Sequence, residues 1–580
     1  MPNRPMKLRS AVNASARTVI AGLLLGGLNT PVLADDLPAV IDDKQPTTSP
    51  QLRDALDIPL DREGAEVNLP DTQEGLDAET VIPVSHIKFL GGSVFDLELL
   101  AQDLKHLVGK EARLADLALA ARKITQRYQE AGYPLSYAYL PENNFADGVV
   151  TIVIVEGHIV RTEIEIENEA VAERVADLAD RLIGEVPLTR ATFERYTQLM
   201  ERIPGAKLTM RAPVPRTANG ATTLRVEEKE IERFGFGGSL DGGDEDDFLL
   251  LANVSTQGHT PFGEQLSLAA LAPIEDEEYY AAEYQQEIGT DGLRITLNAN
   301  RFEGEDDDQV FVLGQAINVN EDKVRNKYHI GLAYPLILRR EKTWNVAGGI
   351  DYYDEESNYT FSLPGQPSVR AQQELRYTAA ELNSALRLIS RKRLVELSGE
   401  IRQGVDLGEN RNTVSLGGVT SQQAEDTEFT RLAANSRWAE QIAERWRVTA
   451  RAAGFWSNDR LPSPERGNYG GARFGRAYPD GQAEGDYGYA GDVELRYIQP
   501  LGIAWLQTFE PYVLADTAHT RFNDISIEHD LTSAVIGFDI SDTKHYRLGI
   551  EYAYPLGDAD IETGSRDGRI NIRLSWNFNT

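Results

Sequence analysis

The sequence predicts an α+β amino-terminal half built from two similar units, followed by an all-β transmembrane barrel of about 16 antiparallel strands. Three observations carry this reading. A β-α-α-β-β order recurs across 81–228, helical spacing all but vanishes after Ile231, and the chain opens with an export signal. About 350 remaining residues, at about 20 per strand and connection, set the strand number.

The export signal is compositional. Arg4, Lys7, Arg9 and Arg17 form a basic segment, Val19 to Leu28 an apolar one, and Val32 and Ala34 stand at the −3 and −1 positions of a cleavage site. Residues 1–34 therefore read as a signal peptide. The formal charge of −33 excludes nucleic acid as a partner, because phosphates would be repelled by most of the surface. Without cysteine, neither disulfides nor thiolate metal sites can form. No later stretch reaches the ~20 apolar residues of a membrane helix. An exported chain of this kind is either periplasmic or an outer-membrane barrel.

Residues 35–80 are acidic and carry five prolines between Pro38 and Pro70, as in a linker. Leu52–Ile58 is its one candidate helix, a possible plug within 51–58. In the first unit, 81–156, Ile82–Leu90 is strand-like. Leu97, Leu100, Leu104 and Leu107 then recur at helical spacing, as do Leu114, Leu117, Ala121, Ile124 and Tyr128. Leu135–Leu140 and Val149–Val155 complete it as strands. In the second unit, 157–228, Ile159–Ile166, Ala206–Pro213 and Thr222–Glu228 read as strands, and Ala170–Leu182 and Arg190–Ile203 as helices. Repetition at ~75 residues makes each unit one small domain.

The barrel is expected over 231–580, from alternating segments such as Gln265–Ala272, Leu293–Arg301, Tyr328–Leu336, Trp344–Tyr353 and Tyr546–Tyr554. The last strand alternates most clearly, with Ile570, Ile572, Leu574, Trp576 and Phe578 on one face and Asn571, Arg573, Ser575 and Asn577 on the other. Apolar-out, polar-in alternation of this kind is what a transmembrane barrel requires. Within the barrel, Tyr469–Tyr497 stands apart. It is dense in glycine yet carries Arg473, Phe474, Arg476, Tyr478 and Asp486. Glycine supplies tight turns, while the interleaved aromatics and arginines suit a loop that folds back and docks inside the barrel.

The two α/β units resemble POTRA domains, the periplasmic modules of outer-membrane protein translocators. Ile87-Lys88-Phe89-Leu90-Gly91, Tyr128, Gly132-Tyr133 and Val155-Glu156-Gly157 carry that likeness. The second half is similar to the haemolysin secretion/activation transporters of two-partner secretion, on Thr260-Pro261-Phe262-Gly263 and on Ala333-Tyr334-Pro335-Leu336 before Arg339-Arg340. The resemblance implies that Arg476-Ala477-Tyr478 is the tip of an in-folded sixth extracellular loop and that Arg476 meets Asp516 on a strand's inner face. Arg473 and Phe474 would support the tip. Alanine at 477 replaces the usual glycine, at a cost of roughly 1–2 kcal/mol if that position is left-handed. The implied partners are a secreted client protein, outer-membrane lipid, and the barrel-assembly machinery, for which Trp576 and Phe578 are candidate C-terminal signals. The implied function is export of an unfolded partner; an outer-membrane protein assembly factor shares the same modules. Client binding falls on POTRA surfaces within 81–228, where an exposed strand could take an extended segment by β-augmentation.

Chemistry is not expected. No nucleotide loop, nucleophile elbow or H-E-x-x-H spacing occurs among the eight histidines, so neither catalytic residues, a cofactor nor a metal is assigned. Asp244–Asp247 and Glu305–Asp308 read as solvated turns rather than calcium sites.

Overall fold

The computed structural model describes residues 79–579, apart from 142–146, 244–247, 272–276, 313–314, 363–366 and 562–563. The expected signal peptide, almost all of the linker with Leu52–Ile58, and the acidic run Asp244–Asp247 lie outside the described residues.

The first unit contains β1 (Val81–Val84), β2 (His86–Leu90), α1 (Leu97–Leu104), β3 (Lys110–Arg113), α2 (Leu114–Glu130), β4 (Tyr137–Tyr139) and β5 (Val149–Val155). Two features differ from expectation. Ile82–Leu90 is not one strand but two, and β3 intervenes between the helices. The break falls at Ser85, whose backbone N–H donates to the Gly148 carbonyl at 2.7 Å. That contact turns β1 aside to pair with β3, while β2 runs parallel to β5. Four residues, Lys-Glu-Ala-Arg, are too few and too polar for β3 to show alternation.

Beneath this sheet α2 buries Leu117, Ala121, Ile124 and Tyr128. The Tyr128 hydroxyl donates to Glu156 Oε1 at 2.8 Å. Glu156 also accepts from Ser93 N–H, Ser93 Oγ and Val94 N–H, at 2.6, 2.7 and 2.9 Å. One carboxylate thus ties the end of the sheet to α2 and to the loop leading into α1. Gly157 follows it because a Cβ there would run into the Leu135 backbone.

The second unit contains β6 (His158–Glu165), α3 (Glu169–Asp180), α4 (Arg190–Glu201), β7 (Ala206–Arg211) and β8 (Ala221–Ile231), with sheet order β6-β8-β7. It is seated on the inner turns of the barrel. The Arg174 guanidinium pairs with Glu287 and donates to the Gly289 carbonyl at 2.7 Å. Arg195 donates to the Pro335 and Asp291 carbonyls at 3.0 and 2.6 Å, the Tyr196 hydroxyl donates to Asp291 at 2.9 Å, and Leu338 of the barrel joins the unit's apolar core.

A closed antiparallel barrel follows, each strand pairing with its neighbours in sequence. It has sixteen staves: short segments Arg411–Leu416, Val419–Gln422 and Gln499–Ile503 extend staves rather than adding new ones. The last strand, Arg569–Asn579, closes on the first, Phe234–Gly243, over nine residue pairs. Strands reach 24 residues, in Gln315–Leu338, or about 80 Å at ~3.4 Å per residue, far beyond a ~25 Å lipid band. Its outward residues Tyr328, Ile330, Leu332 and Leu336 mark where that band lies. Glu305–Asp308 belongs to the long strand Leu293–Val312 and is not a turn, because the ladder continues beyond the lipid. No helix among the described residues is long and apolar enough to cross a membrane.

Burial alone would push the Glu156 carboxyl up, but its hydrogen bonds outweigh that and hold it below the ordinary glutamate range. A group held low stabilises the fold above its unfolded value of about 4.3 and loses that contribution as pH falls through its folded value. The four described α-helices all lie in the two α/β units, so helical ellipticity reports on them. Urea unfolding of the intact protein in detergent is expected to give a constant midpoint between pH 6 and pH 7.5, declining below about pH 4. Glu156→Gln should lower the plateau and flatten that decline.

Candidate functional site

The chain between Ser457 and Tyr487 turns into the barrel lumen and crosses it. Within it a short helical turn, Ser463–Glu465, is followed by the small hairpin Gly467–Tyr469 and Ala483–Gly485. Two glycines make the tip possible. Gly475 has φ +76°, and a Cβ there would lie 2.7 Å from Leu531 Cδ1; Gly470 has φ +125°, with the Pro479 carbonyl in the way of any side chain. Tyr469 meets Phe474 edge-on, ring centroids 5.7 Å apart, and also packs on Phe455 of the wall.

Arg476 is 4% exposed and sits against the last four staves. Asp516 was its expected guanidinium partner, and the structure distributes the contacts differently. Asp516 accepts the Arg476 backbone N–H at 3.2 Å, while the guanidinium reaches Glu551 Oε2 at 2.7 Å. Glu551, 2% exposed, also accepts from Tyr512 Oη at 2.5 Å, Arg573 Nη2 at 2.6 Å and Asn571 Nδ2 at 3.1 Å. With two arginines on one carboxylate, Glu551 is the more fully shared acceptor. Asp516 stands closer to the loop backbone and holds its path instead.

The rest of the tip is fixed through backbone and hydroxyl groups. Ala477 N–H donates to Ser533 Oγ at 3.1 Å. The Tyr478 hydroxyl is the acceptor for Gly557 N–H at 3.0 Å and donates to the Thr532 carbonyl at 3.2 Å. Thr543 is the one non-glycine at positive φ among the described residues, so Ala477 bears no left-handed strain. Its methyl is fully enclosed. Phe474 is buried with the tip, whereas Arg473 is exposed towards the lumen.

A second anchor was not foreseen. Glu465 is bound by Arg402 Nε at 2.9 and 2.7 Å and by the Tyr377 hydroxyl at 2.8 Å. Arg402 also holds Glu381 at 2.9 Å and pairs with Asp351. Next in the loop, Arg466 bridges Glu425 and Glu484, each at 3.2 Å, beneath the Phe522 ring. Counting from the first stave, the Arg402 anchor stands on staves seven to nine and the Arg476 anchor on thirteen to sixteen, nearly opposite in a ring of sixteen. The loop is a strap across the lumen. Asp486 sets its return, accepting from Leu461 N–H at 2.9 Å and Asn523 N–H at 3.0 Å.

His329, Asp351 and Glu381 bring potential ligand atoms within 4.8 Å of one another. The Arg402 guanidinium already lies between the two carboxylates, and Lys327 Nζ stands 3.7 Å from Asp351, so the cluster's charge is met by side chains. In the last strand Asn571 and Arg573 face inward, as expected, and both reach the loop. Trp576 is half-buried against Gly238 of the first strand; the Phe578 side chain lies outside the described ones.

These features define a class of protein, an outer-membrane barrel with a strapped lumen, preceded by α/β units at its periplasmic mouth. Residues 82–157 match the family model "POTRA domain, ShlB-type" and residues 370–540 match "Haemolysin secretion/activation protein ShlB/FhaC/HecB". The chain is thus similar to that family in its first α/β unit and in a large part of its barrel. It is 24% identical over 179 residues to the heme/hemopexin transporter protein HuxB of Haemophilus influenzae strain 86-028NP, covering 30% of this chain and 31% of the relative. HuxB of strain ATCC 51907 is 25% identical over 138 residues, 23% of this chain and 24% of that one. The matched region thus spans a third or less of these curated relatives. Among solved structures, CdiB from Escherichia coli superposes with a TM-score of 0.64 at 15% identity, covering 99% of this chain and 100% of that one. CdiB from Acinetobacter baumannii gives 0.59 at 14% identity, with 91% and 96% covered. These likenesses establish the fold.

Glu551→Gln leaves Arg476 and Arg573 facing each other around a neutral amide, and breaking a buried pair costs about 3–5 kcal/mol. In planar bilayers this variant should show a higher resting conductance than wild type. Asp516→Asn, which keeps an oxygen for the Arg476 N–H, should change it less. Ala477→Gly should behave as wild type, whereas Gly475→Ala, forced to a left-handed φ, should open the channel more often.

Proposed function

We propose that this protein exports an unfolded partner protein from the periplasm through its barrel. The observation that carries the reading is the strap. A long loop fills the lumen, yet polar and charged contacts hold much of it, and such contacts can be exchanged for water or for a passing chain. At an effective dielectric near 20 a charge pair 4 Å apart is worth about 4 kcal/mol before desolvation is subtracted. Several such contacts acting together favour the seated loop at rest.

The two α/β units suit client capture. β2 is a sheet edge, pairing only with β5 in its sheet, and it lies before α1 in the chain. An extended client segment could add to that edge by hydrogen bonding its backbone, leaving side chains to the adjacent groove. The seat of the second unit on the barrel turns then carries the segment to the lumen. Movement of the loop around Arg476 opens the path, and client folding outside supplies the direction without nucleotide. Nothing in this scheme calls for catalysis. The family's haemolysin secretion/activation description and the printed transporter name of HuxB support transport as the role.

Assembly of other barrels is the rival, and the secretion/activation description of the model matched over 370–540 favours export. Deleting the gene and quantifying secreted and outer-membrane proteins separates the two. Export predicts loss of one or two secreted proteins with normal membrane content; broad loss of barrels would overturn it. Complementation with Arg476→Ala should leave the protein assembled but secretion altered, and unchanged secretion would remove the loop from the mechanism.

A further inference from the structure

Directly below the loop tip lies a cavity of about 770 Å³ that the loop anchors do not use. Helix α4 forms its floor, the inner faces of staves seven to eleven its wall, and Arg473 and Phe474 its roof. It is therefore enclosed between the second α/β unit and the strap, on the line between periplasm and pore.

Its charge is opposite to that of the protein. The chain carries −33 overall, but seven arginines and only three glutamates line this space. On the wall, Arg387 and Arg437 both pair with Glu396, at 3.2 and 3.3 Å. Arg451 pairs through Nε with Asp492 at 2.9 Å, and its Nη2 is buried without a hydrogen-bond partner among the described residues. In the roof, Arg473 is exposed. Arginine thus outnumbers glutamate in the lining by more than two to one. A concave site of one sign with protein walls concentrates its field and raises the local concentration of opposite charge.

We propose that this vestibule receives an acidic, extended segment of the exported polypeptide before the strap moves, with Arg473 as the contact between the segment and the loop. The occupant follows from charge complementarity and position. The rest of the protein repels an acidic chain, so the vestibule is where such a segment comes to rest. Guanidinium groups also match carboxylates in a fork that lysine would not provide. The proposal rests on the export reading and specifies which part of a client is taken first.

The test uses the full-length protein in detergent and a fluorescent ten-residue peptide alternating aspartate and glycine, with a lysine–glycine peptide as control. Wild type should bind the acidic peptide and not the basic one, with affinity falling steeply between low and high salt. Arg387→Gln with Arg437→Gln should weaken binding about tenfold. Arg473→Gln should weaken it less, by a few-fold. Heat-modifiable migration of each variant shows that the barrel has formed, and Arg340→Gln offers a second lining position should the double variant fail to fold. Equal binding by both peptides, or binding indifferent to these arginines, overturns the proposal. Secretion in the deletion strain is scored separately: if it is lost there while peptide binding ignores the arginines, the vestibule idea fails and export stands. If secretion never depended on the gene, the export reading fails.

Discussion

Closure of the barrel is the constraint on which every other feature depends. Backbone N–H and C=O groups facing lipid have no water to bond, so the last strand must find the first. Here Arg569–Asn579 does so against Phe234–Gly243, a strand with glycine at 235, 237, 238, 242 and 243. Side chains at Gly238 or Gly243 would collide with the Trp576 ring or the Ile570 backbone. The ring so closed encloses a lumen lined by every second residue, and sixteen strands make it wide enough to need filling. The loop fills it, and the second α/β unit is seated on the turns at its mouth.

The way the loop is held follows from where it sits. A barrel interior is polar because the apolar positions are committed to lipid, so an inserted loop docks through charges and hydrogen bonds. Burial then makes those charges interdependent. Glu551 is satisfied only with Arg476, Arg573, Tyr512 and Asn571 all present, and Arg402 only with Glu465, Glu381 and Asp351. Removing one member leaves an uncompensated buried charge. Such a network has few partial states, which suits a strap proposed to be either seated or displaced.

Much of this was legible beforehand. Strand alternation in Arg569–Asn579 revealed lipid and lumen faces because its period of two has no competing explanation at that length. Glycine density marked the loop, since Gly470 and Gly475 occupy backbone conformations that other residues avoid. The pairing of charges was not legible. Arg402, Glu465 and Glu551 are lumen residues among many, and only register in a closed ring shows which of them meet. Asp516 meets the Arg476 backbone rather than the guanidinium, a distinction between backbone and side-chain contacts that sequence carries poorly. Ala477 illustrates the converse: its departure from glycine looked costly, yet the left-handed turn falls two residues earlier, at Gly475. Strand β3 escaped notice because four polar residues carry no periodicity.

The central claim is that the strap must leave its seat for a client to pass. The chain has no cysteine, so a pair can be introduced without background. Ala477→Cys with Ser533→Cys places thiols where the Ala477 N–H now meets Ser533 Oγ at 3.1 Å, joining the tip to the wall. Secretion of the partner would be followed with the pair oxidised and then reduced, with each single cysteine as control. The account predicts that oxidation stops secretion and reduction restores it. Undiminished secretion from a protein shown to be fully cross-linked would contradict it.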